Sequence, residues 1–311
     1  MENKEEKQYL DILQNILDNW VEENDRTWVW TLSTFWEKMV FDLSTWKYPL
    51  LTTKRTFFRW IVTELIWLIR WDTNIQYLLK RNNHIWTEWP FANYLQLNNL
   101  EKKFPRYTKE WKEKMKEFEN NIIENNDFAK KWWELWPVYW AQWRDFNGEG
   151  VDQIKNVIKS IKENPTSRRH LVIAYNPAQI EDMLLPPCHM MFQFNVNTKK
   201  GTLDCQMYQR SSDYPLGIPF NIGSYSLLLI LIAKITGLKP WKFIHITWNS
   251  HVYLNQINWV NMQLKREPFP FPEIKIKQKI ENLQDIEKLE FEDFELINYK
   301  CHKWIKMPIA V

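Results

Sequence analysis

The sequence predicts an α+β protein whose 311 residues form a single domain, 1–311. Three observations carry that reading. Runs with helical spacing and runs with strand-like alternation both occur along the chain. No internal repeat or low-complexity linker divides the chain. The composition, 45% hydrophobic and 25% charged, suits a globular protein with a sizeable core.

Taken in order, residues 9–17 place Leu10, Ile12, Leu13, Ile16 and Leu17 at helical spacing. Residues 32–43 roughly alternate and predict a strand. Helices are expected over 57–69 and 75–81, with Asp72 and Thr73 as the cap of the second. Residues 106–131 are rich in Lys, Glu and Asn and predict solvated helices. An amphipathic helix over 151–161 is expected to end at Asn164 and Pro165, because the residue before proline disfavours the helical region. Strands are expected over 170–174, 190–196 and 202–209. Residues 221–235 predict a long buried helix ended by Gly237. A further helix is expected over 252–264 and a strand over 273–277.

Net charge is +3, too small to argue for a nucleic-acid or membrane partner. Three cysteines, Cys188, Cys205 and Cys301, do not make a disulfide framework and point to a reducing interior. Residues 1–7 are charged and lack the apolar stretch of a secretory signal. No run reaches the ~18 apolar residues of a membrane span. The expectation is a cytoplasmic protein.

The most informative local feature is Leu184-Leu185-Pro186-Pro187-Cys188-His189, followed by Gln209-Arg210-Ser211-Ser212-Asp213. A thiol must become a thiolate to act as a nucleophile, and a neighbouring guanidinium favours that form. A lone cysteine is ordinarily a small buried apolar residue. Histidine, arginine, hydroxyl and carboxylate in one short span shift the reading toward a site.

With their surroundings these residues resemble the thymidylate synthase family. The resemblance continues through Asp25-Arg26-Thr27, Leu51-Thr52-Thr53-Lys54-Arg55, Glu64-Leu65-Ile66-Trp67 and Asp72-Thr73-Asn74-Ile75. It takes in Ile85-Trp86-Thr87-Glu88-Trp89, Pro137-Val138-Tyr139 and Ser167-Arg168-Arg169. It closes with Gly217-Ile218-Pro219-Phe220-Asn221-Ile222, His251-Val252-Tyr253, Arg266-Glu267-Pro268 and Pro308-Ile309-Ala310-Val311. Only 91–132 falls outside, and it resembles the variable insertion of some members.

The resemblance implies a large mixed β-sheet flanked by helices, with one sheet face forming a dimer interface. It implies reductive methylation of dUMP to dTMP by 5,10-methylenetetrahydrofolate, yielding dihydrofolate, with no metal. Cys188 would add to uracil C6, and Arg210 would lower its pKa and bind phosphate. Arg26, Arg210 and Ser211 match the phosphate ligands of the same subunit, while Arg168 and Arg169 match a pair reaching into the partner's site; guanidiniums grip phosphate in bidentate fashion. Asn221 would read uracil O4 and N3, since an amide both donates and accepts. Asparagine, where dCMP hydroxymethylases carry Asp, favours dUMP. His251 and Tyr253 would hold the ribose hydroxyl, with His189, Gln209 and Asp213 completing the substrate set. Glu64 matches the general acid/base acting through water, and Tyr139 the residue near the departing C5 proton. For the folate, Asp213 would bind the pterin, Ile85, Trp86, Trp89, Leu185, Gly217 and Phe220 would pack on its rings, and Lys54 would sit near its glutamate tail. Ala310 and Val311 would close over it. Thr87, Ser212 and Pro215 depart from the family pattern without removing a catalytic group.

Two counts are abnormal. Average glycine usage of about 7% predicts roughly 22 glycines, yet there are 6, beside 20 tryptophans. Trp20, Trp28, Trp30, Trp36, Trp46, Trp71, Trp133, Trp136, Trp140, Trp241, Trp248 and Trp304 stand where the family carries Gly. Trp67, Trp86, Trp89 and Trp143 stand where it carries Trp. A gene in which UGA encodes glycine, translated by a table that reads UGA as tryptophan, produces this pattern. Turns at such positions demand glycine, which alone takes positive φ without steric cost.

Overall fold

A computed structural model describes residues 3–23, 29–132 and 138–308, the side chain of Trp140 excepted. Arg26, Ala310, Trp28, Trp133 and Trp136 of the sequence reading therefore lie outside the described residues. The chain divides into two compact units: one comprises 1–62, 154–173 and 188–311, the other 63–153 and 174–187.

The first unit is organised by a six-stranded mixed sheet, as the α+β reading expects. Its strands are β1 (Val21–Glu23), β2 (Thr31–Asp42), β3 (Leu171–Ile173), β4 (His189–Asn197), β5 (Thr202–Asp213) and β6 (Lys239–Tyr253), in spatial order β1-β2-β6-β5-β4-β3. β4 and β5 form a hairpin; Asn197 accepts from the Lys200 amide and Gly201 closes the turn at φ 62°. β5 and β6 run parallel, whereas the other pairs are antiparallel. Parallel neighbours need a crossover. The helix Gly217–Thr236 supplies it, capped by Gly237 in the left-handed region. A shorter sheet pairs Glu273–Ile276 with Phe294–Ile297.

That crossover helix is apolar all round because it is covered all round. Leu227 to Ile232 are each at most 1% exposed, and each such side chain contributes roughly 1.5–3 kcal/mol by leaving water. By length and composition alone the helix could cross a membrane, but most of it is buried inside the structure. It faces the alternating buried positions Leu203, Cys205, Met207 and Gln209 of β5. The N-terminal helix Lys4–Asp18 packs on β2. Its Glu6, fully buried, accepts from the backbone and hydroxyl groups of both Thr52 and Thr53.

The second unit is helical: Gln76–Leu79, Glu88–Leu97, Lys109–Glu124, Asn126–Trp132 and Tyr139–Arg144. The helices over 106–131 are less solvated than their composition predicts. Trp111, Phe118 and Ile122 are buried, and Phe91, Tyr94, Phe118, Phe128 and Trp132 form a continuous ring cluster. An amphipathic pattern this charged hides a narrow aromatic stripe.

Three expectations change. β6 was not foreseen, because buried His245, Thr247, Ser250 and His251 interrupt any apolar pattern. Val252 and Tyr253 end that strand, and the helix expected over 252–264 begins only at Ile257. Asp72 does not cap the short helix Gln76–Leu79; it accepts from the Asn74 amide, and Asn74 in turn accepts from the Gln76 amide.

Trp36, Trp46 and Trp71 adopt φ of 70°, 62° and 56°. A residue with a Cβ pays roughly 1–2 kcal/mol there. Trp36 and Trp248, both exposed, fall between the paired positions Phe35↔Asn249 and Glu37↔Thr247 on neighbouring strands.

Candidate active site

In the first unit the chain enters β4 at Cys188, a partly exposed free thiol. The Arg210 amide donates to the Cys188 carbonyl at 2.9 Å, and His189 pairs in register with Gln209. The hairpin thus holds the Cys188-His189 and Gln209-Arg210 segments side by side, although twenty residues of chain separate them. Gln209 extends this cluster to the crossover helix: its Nε2 donates to Asn221 Oδ1 at 3.1 Å. Burial holds His189 neutral, its pKa pushed down to about 4 against the opposing effect of a hydrogen bond to Asn221.

The end of β5 lies against the end of β6, with Ser211 opposite Asn249 and Asp213 opposite His251. His251 Nδ1 lies 2.8 Å from Asn249 Oδ1, and its ring meets that of Tyr253 edge-on at 5.3 Å. Asp213 accepts from the Leu216 amide at 2.9 Å at the head of the crossover helix. Burial raises its pKa, opposed by the charges of His251 and Lys54. Lys54, also buried, donates to the Pro215 carbonyl. Desolvation lowers its pKa to about 8, against the pull of Asp213. A Cβ at Gly217 would lie 3.7 Å from Asp213 Cβ and 3.8 Å from Asn221 Oδ1. Gly217 thus stands beside both the Asp213 and Asn221 side chains, at ordinary van der Waals distance. Phe220 stacks on Trp60 at 6.3 Å.

Arg168 and Arg169 are exposed on the loop before β3. Leu171 pairs with Gln193, well along β4 from His189. The structure thus keeps this pair away from the Cys188 end of the strand. Gln256 was not foreseen. Fully buried, it donates to the Pro308 carbonyl at 3.0 Å, accepts from the Tyr253 amide and hydrogen-bonds Asp213. It ties the C-terminal segment to two expected site residues. Nothing in its sequence neighbourhood announces this.

In the second unit, Glu64 accepts from Trp86 Nε1 at 2.7 Å. Trp86 meets Trp89 at 5.5 Å and Tyr139 edge-on at 6.0 Å. Trp67 approaches Trp86 at 6.1 Å and anchors its own Nε1 on the Asn74 carbonyl. Ile85 precedes Trp86, its amide held by Asn83. Leu185 lies in the 174–187 segment of the same unit. Removal from water raises the Glu64 pKa to about 7, opposed by the indole hydrogen bond. A carboxyl poised near neutrality can both give and take a proton, which suits general acid/base work.

Residues 7–311 match the family described as thymidylate synthase. The thymidylate synthase of Mesoplasma florum is 44% identical over 305 residues, covering 98% of this chain and 100% of its own length.

The Glu64 carboxyl titrates higher in the folded chain than its usual 4.5. The native state therefore holds this proton longer than the unfolded state does. This contribution to stability falls as pH rises from about 4.5 through 7 and levels off above. Glu64→Gln removes that slope in urea titrations run across this range. Trp86→Phe deletes a donor to the charged form and moves the titration, followed by carboxyl NMR, to still higher pH.

Proposed function

The chain belongs to the thymidylate synthase family, and from that premise we propose the residue roles that follow. The reaction is the reductive methylation of dUMP to dTMP with 5,10-methylenetetrahydrofolate as co-substrate. The observation that carries the site assignment is the cluster of Cys188, Arg210, Gln209 and Asn221 held on one hairpin and one helix.

Uracil C5 is too weak a nucleophile to attack a methylene carbon. The Cys188 thiolate adds to C6, and the electron pair displaced toward O4 makes C5 nucleophilic. Asn221 meets O4 and N3, and the Glu64 carboxyl supplies and withdraws a proton at O4 through water. Tyr139 assists loss of the C5 proton, and breaking the S–C6 bond returns the thiolate. When bound, the reduced folate supplies both the one-carbon unit and the hydride. Arg26, Arg210 and Ser211 hold the phosphate, with His189, His251 and Tyr253 on the nucleoside. Asp213, Gly217, Phe220, Ile85, Trp86, Trp89, Leu185 and Lys54 receive the folate, and Ala310 closes over it.

A homodimer is part of this reading. Arg168 and Arg169, exposed and distant along β4 from their own Cys188, are assigned to a second copy's phosphate. Residues 1–311 are read as one catalytic domain with 91–132 as a variable insertion, working in the cytoplasm.

We propose further that the twelve tryptophans at family glycine positions are glycines in the cell that makes this protein. Supporting this, Trp36, Trp46 and Trp71 take positive φ, and Trp20, Trp30, Trp248 and Trp304 expose large apolar rings. The gene is expected to read UGA at these positions and UGG at Trp67, Trp86, Trp89 and Trp143; UGG throughout overturns the proposal. Trp36→Gly, Trp46→Gly and Trp71→Gly are each expected to raise unfolding free energy by about 1 kcal/mol.

Cys188→Ser is expected to lower dTMP formation by at least about a thousandfold, since a hydroxyl at neutral pH is a far weaker nucleophile than a thiolate. Nucleotide binding should survive. Turnover near that of the unsubstituted chain would reject Cys188 as nucleophile.

A further inference from the structure

We infer that His245 is a positioning residue for pyrimidine recognition: together with the Ser211 carbonyl it holds Gln209 in the one orientation that sets which end of the Asn221 amide accepts and which donates. This rests on the reading above that Asn221 meets the pyrimidine ring.

The three residues form a polar chain through the core. His245 on β6 is fully buried, and its Nε2 lies 2.9 Å from Gln209 Oε1. Gln209 Nε2 donates to the Ser211 carbonyl at 3.0 Å and to Asn221 Oδ1 at 3.1 Å. The polarity follows from one group that cannot reverse. A backbone carbonyl only accepts, so Ser211 forces the Gln209 NH2 toward itself and toward Asn221. Gln209 Oε1 must then face His245, and His245 must carry its proton on Nε2.

A flipped Gln209 would set its oxygen against two acceptors and leave its NH2 facing a histidine. Buried polar groups mismatched in this way are costly. The histidine is well suited to one state. Burial, with a smaller contribution from the neighbouring His189, pushes its pKa down to about 3, so it is a neutral donor at ordinary pH. The Phe243 ring packs beside it at 5.6 Å. Among the described residues Nδ1, which is buried, has no hydrogen-bond partner, so the ring's hydrogen bonding here runs through Nε2.

The chemical consequence concerns the base. Uracil offers an acceptor at O4 and a donor at N3, whereas cytosine offers a donor at N4 and an acceptor at N3. An amide locked in one orientation matches one base and opposes the other. An amide free to turn accommodates both. His245 lies too deep to touch a nucleotide, so its effect on base choice is routed through Gln209.

The test compares His245→Phe and His245→Gln in the full chain, with Asn221→Asp as control, measuring kcat and KM for dUMP and dissociation constants for dUMP and dCMP. Loss of one buried hydrogen bond predicts that His245→Phe reduces the dUMP-over-dCMP preference about tenfold. The KM for dUMP should rise more than kcat falls. His245→Gln, which restores an N–H donor, should hold the preference within about threefold of the original. A folded His245→Phe chain with unchanged preference overturns the inference, even if its stability has dropped. If Asn221→Asp also leaves the preference unchanged, the reading of Asn221 is what fails. Nitrogen NMR of the unsubstituted chain decides independently of any variant: an Nε2–H tautomer at His245 is expected, and an Nδ1–H tautomer overturns the inference.

Discussion

The parallel pairing of β5 with β6 is the constraint on which the first unit depends. Two adjacent parallel strands cannot be joined by a turn, so the chain must leave the sheet and return. The helix Gly217–Thr236 makes that return and brings Asn221 over Gln209. The same pairing sets Asp213 against His251 and Ser211 against Asn249. The β4–β5 hairpin then adds Cys188 at the Arg210 end. Side chains from 188 to 253 converge because one strand pair dictates where the backbone goes.

Burial does the chemical tuning. Removal from water shifts Glu64 up toward neutrality and Lys54, His189 and His245 down. All four move toward the neutral form, the direction desolvation imposes. For Glu64 that shift makes a carboxyl usable in both directions of proton transfer. For the two histidines it favours neutral rings, each hydrogen-bonded to a side-chain amide, His189 to Asn221 and His245 to Gln209. One physical effect thus favours the neutral form at a carboxyl, an amine and two imidazoles alike.

Much of this was legible in the sequence, and the failures share a cause. The helix over 9–17, the strand over 32–43 and the buried helix ending at Gly237 follow from periodicity and a glycine cap, and the structure has all three. β6 did not follow, because a strand lined with His245, Thr247, Ser250 and His251 has no apolar rhythm to read. Those buried polar groups mark the neighbourhood of the site, where local pattern gives way to hydrogen bonding. Cys188 and Glu64 were visible through motifs. Gln256 and His245 were not, since what singles each out is a hydrogen-bond partner supplied by tertiary structure.

The central claim is that Cys188 bonds to C6 of the pyrimidine. The most direct measurement is peptide mass spectrometry after incubation with 5-fluoro-dUMP and methylenetetrahydrofolate. Fluorine at C5 cannot leave as a proton does, so the reaction stops with the thiol still attached. The account predicts a stable adduct on the peptide carrying Cys188, formed in full only when the folate is present. An adduct on Cys205 or Cys301, or none under conditions that support nucleotide binding, would contradict it.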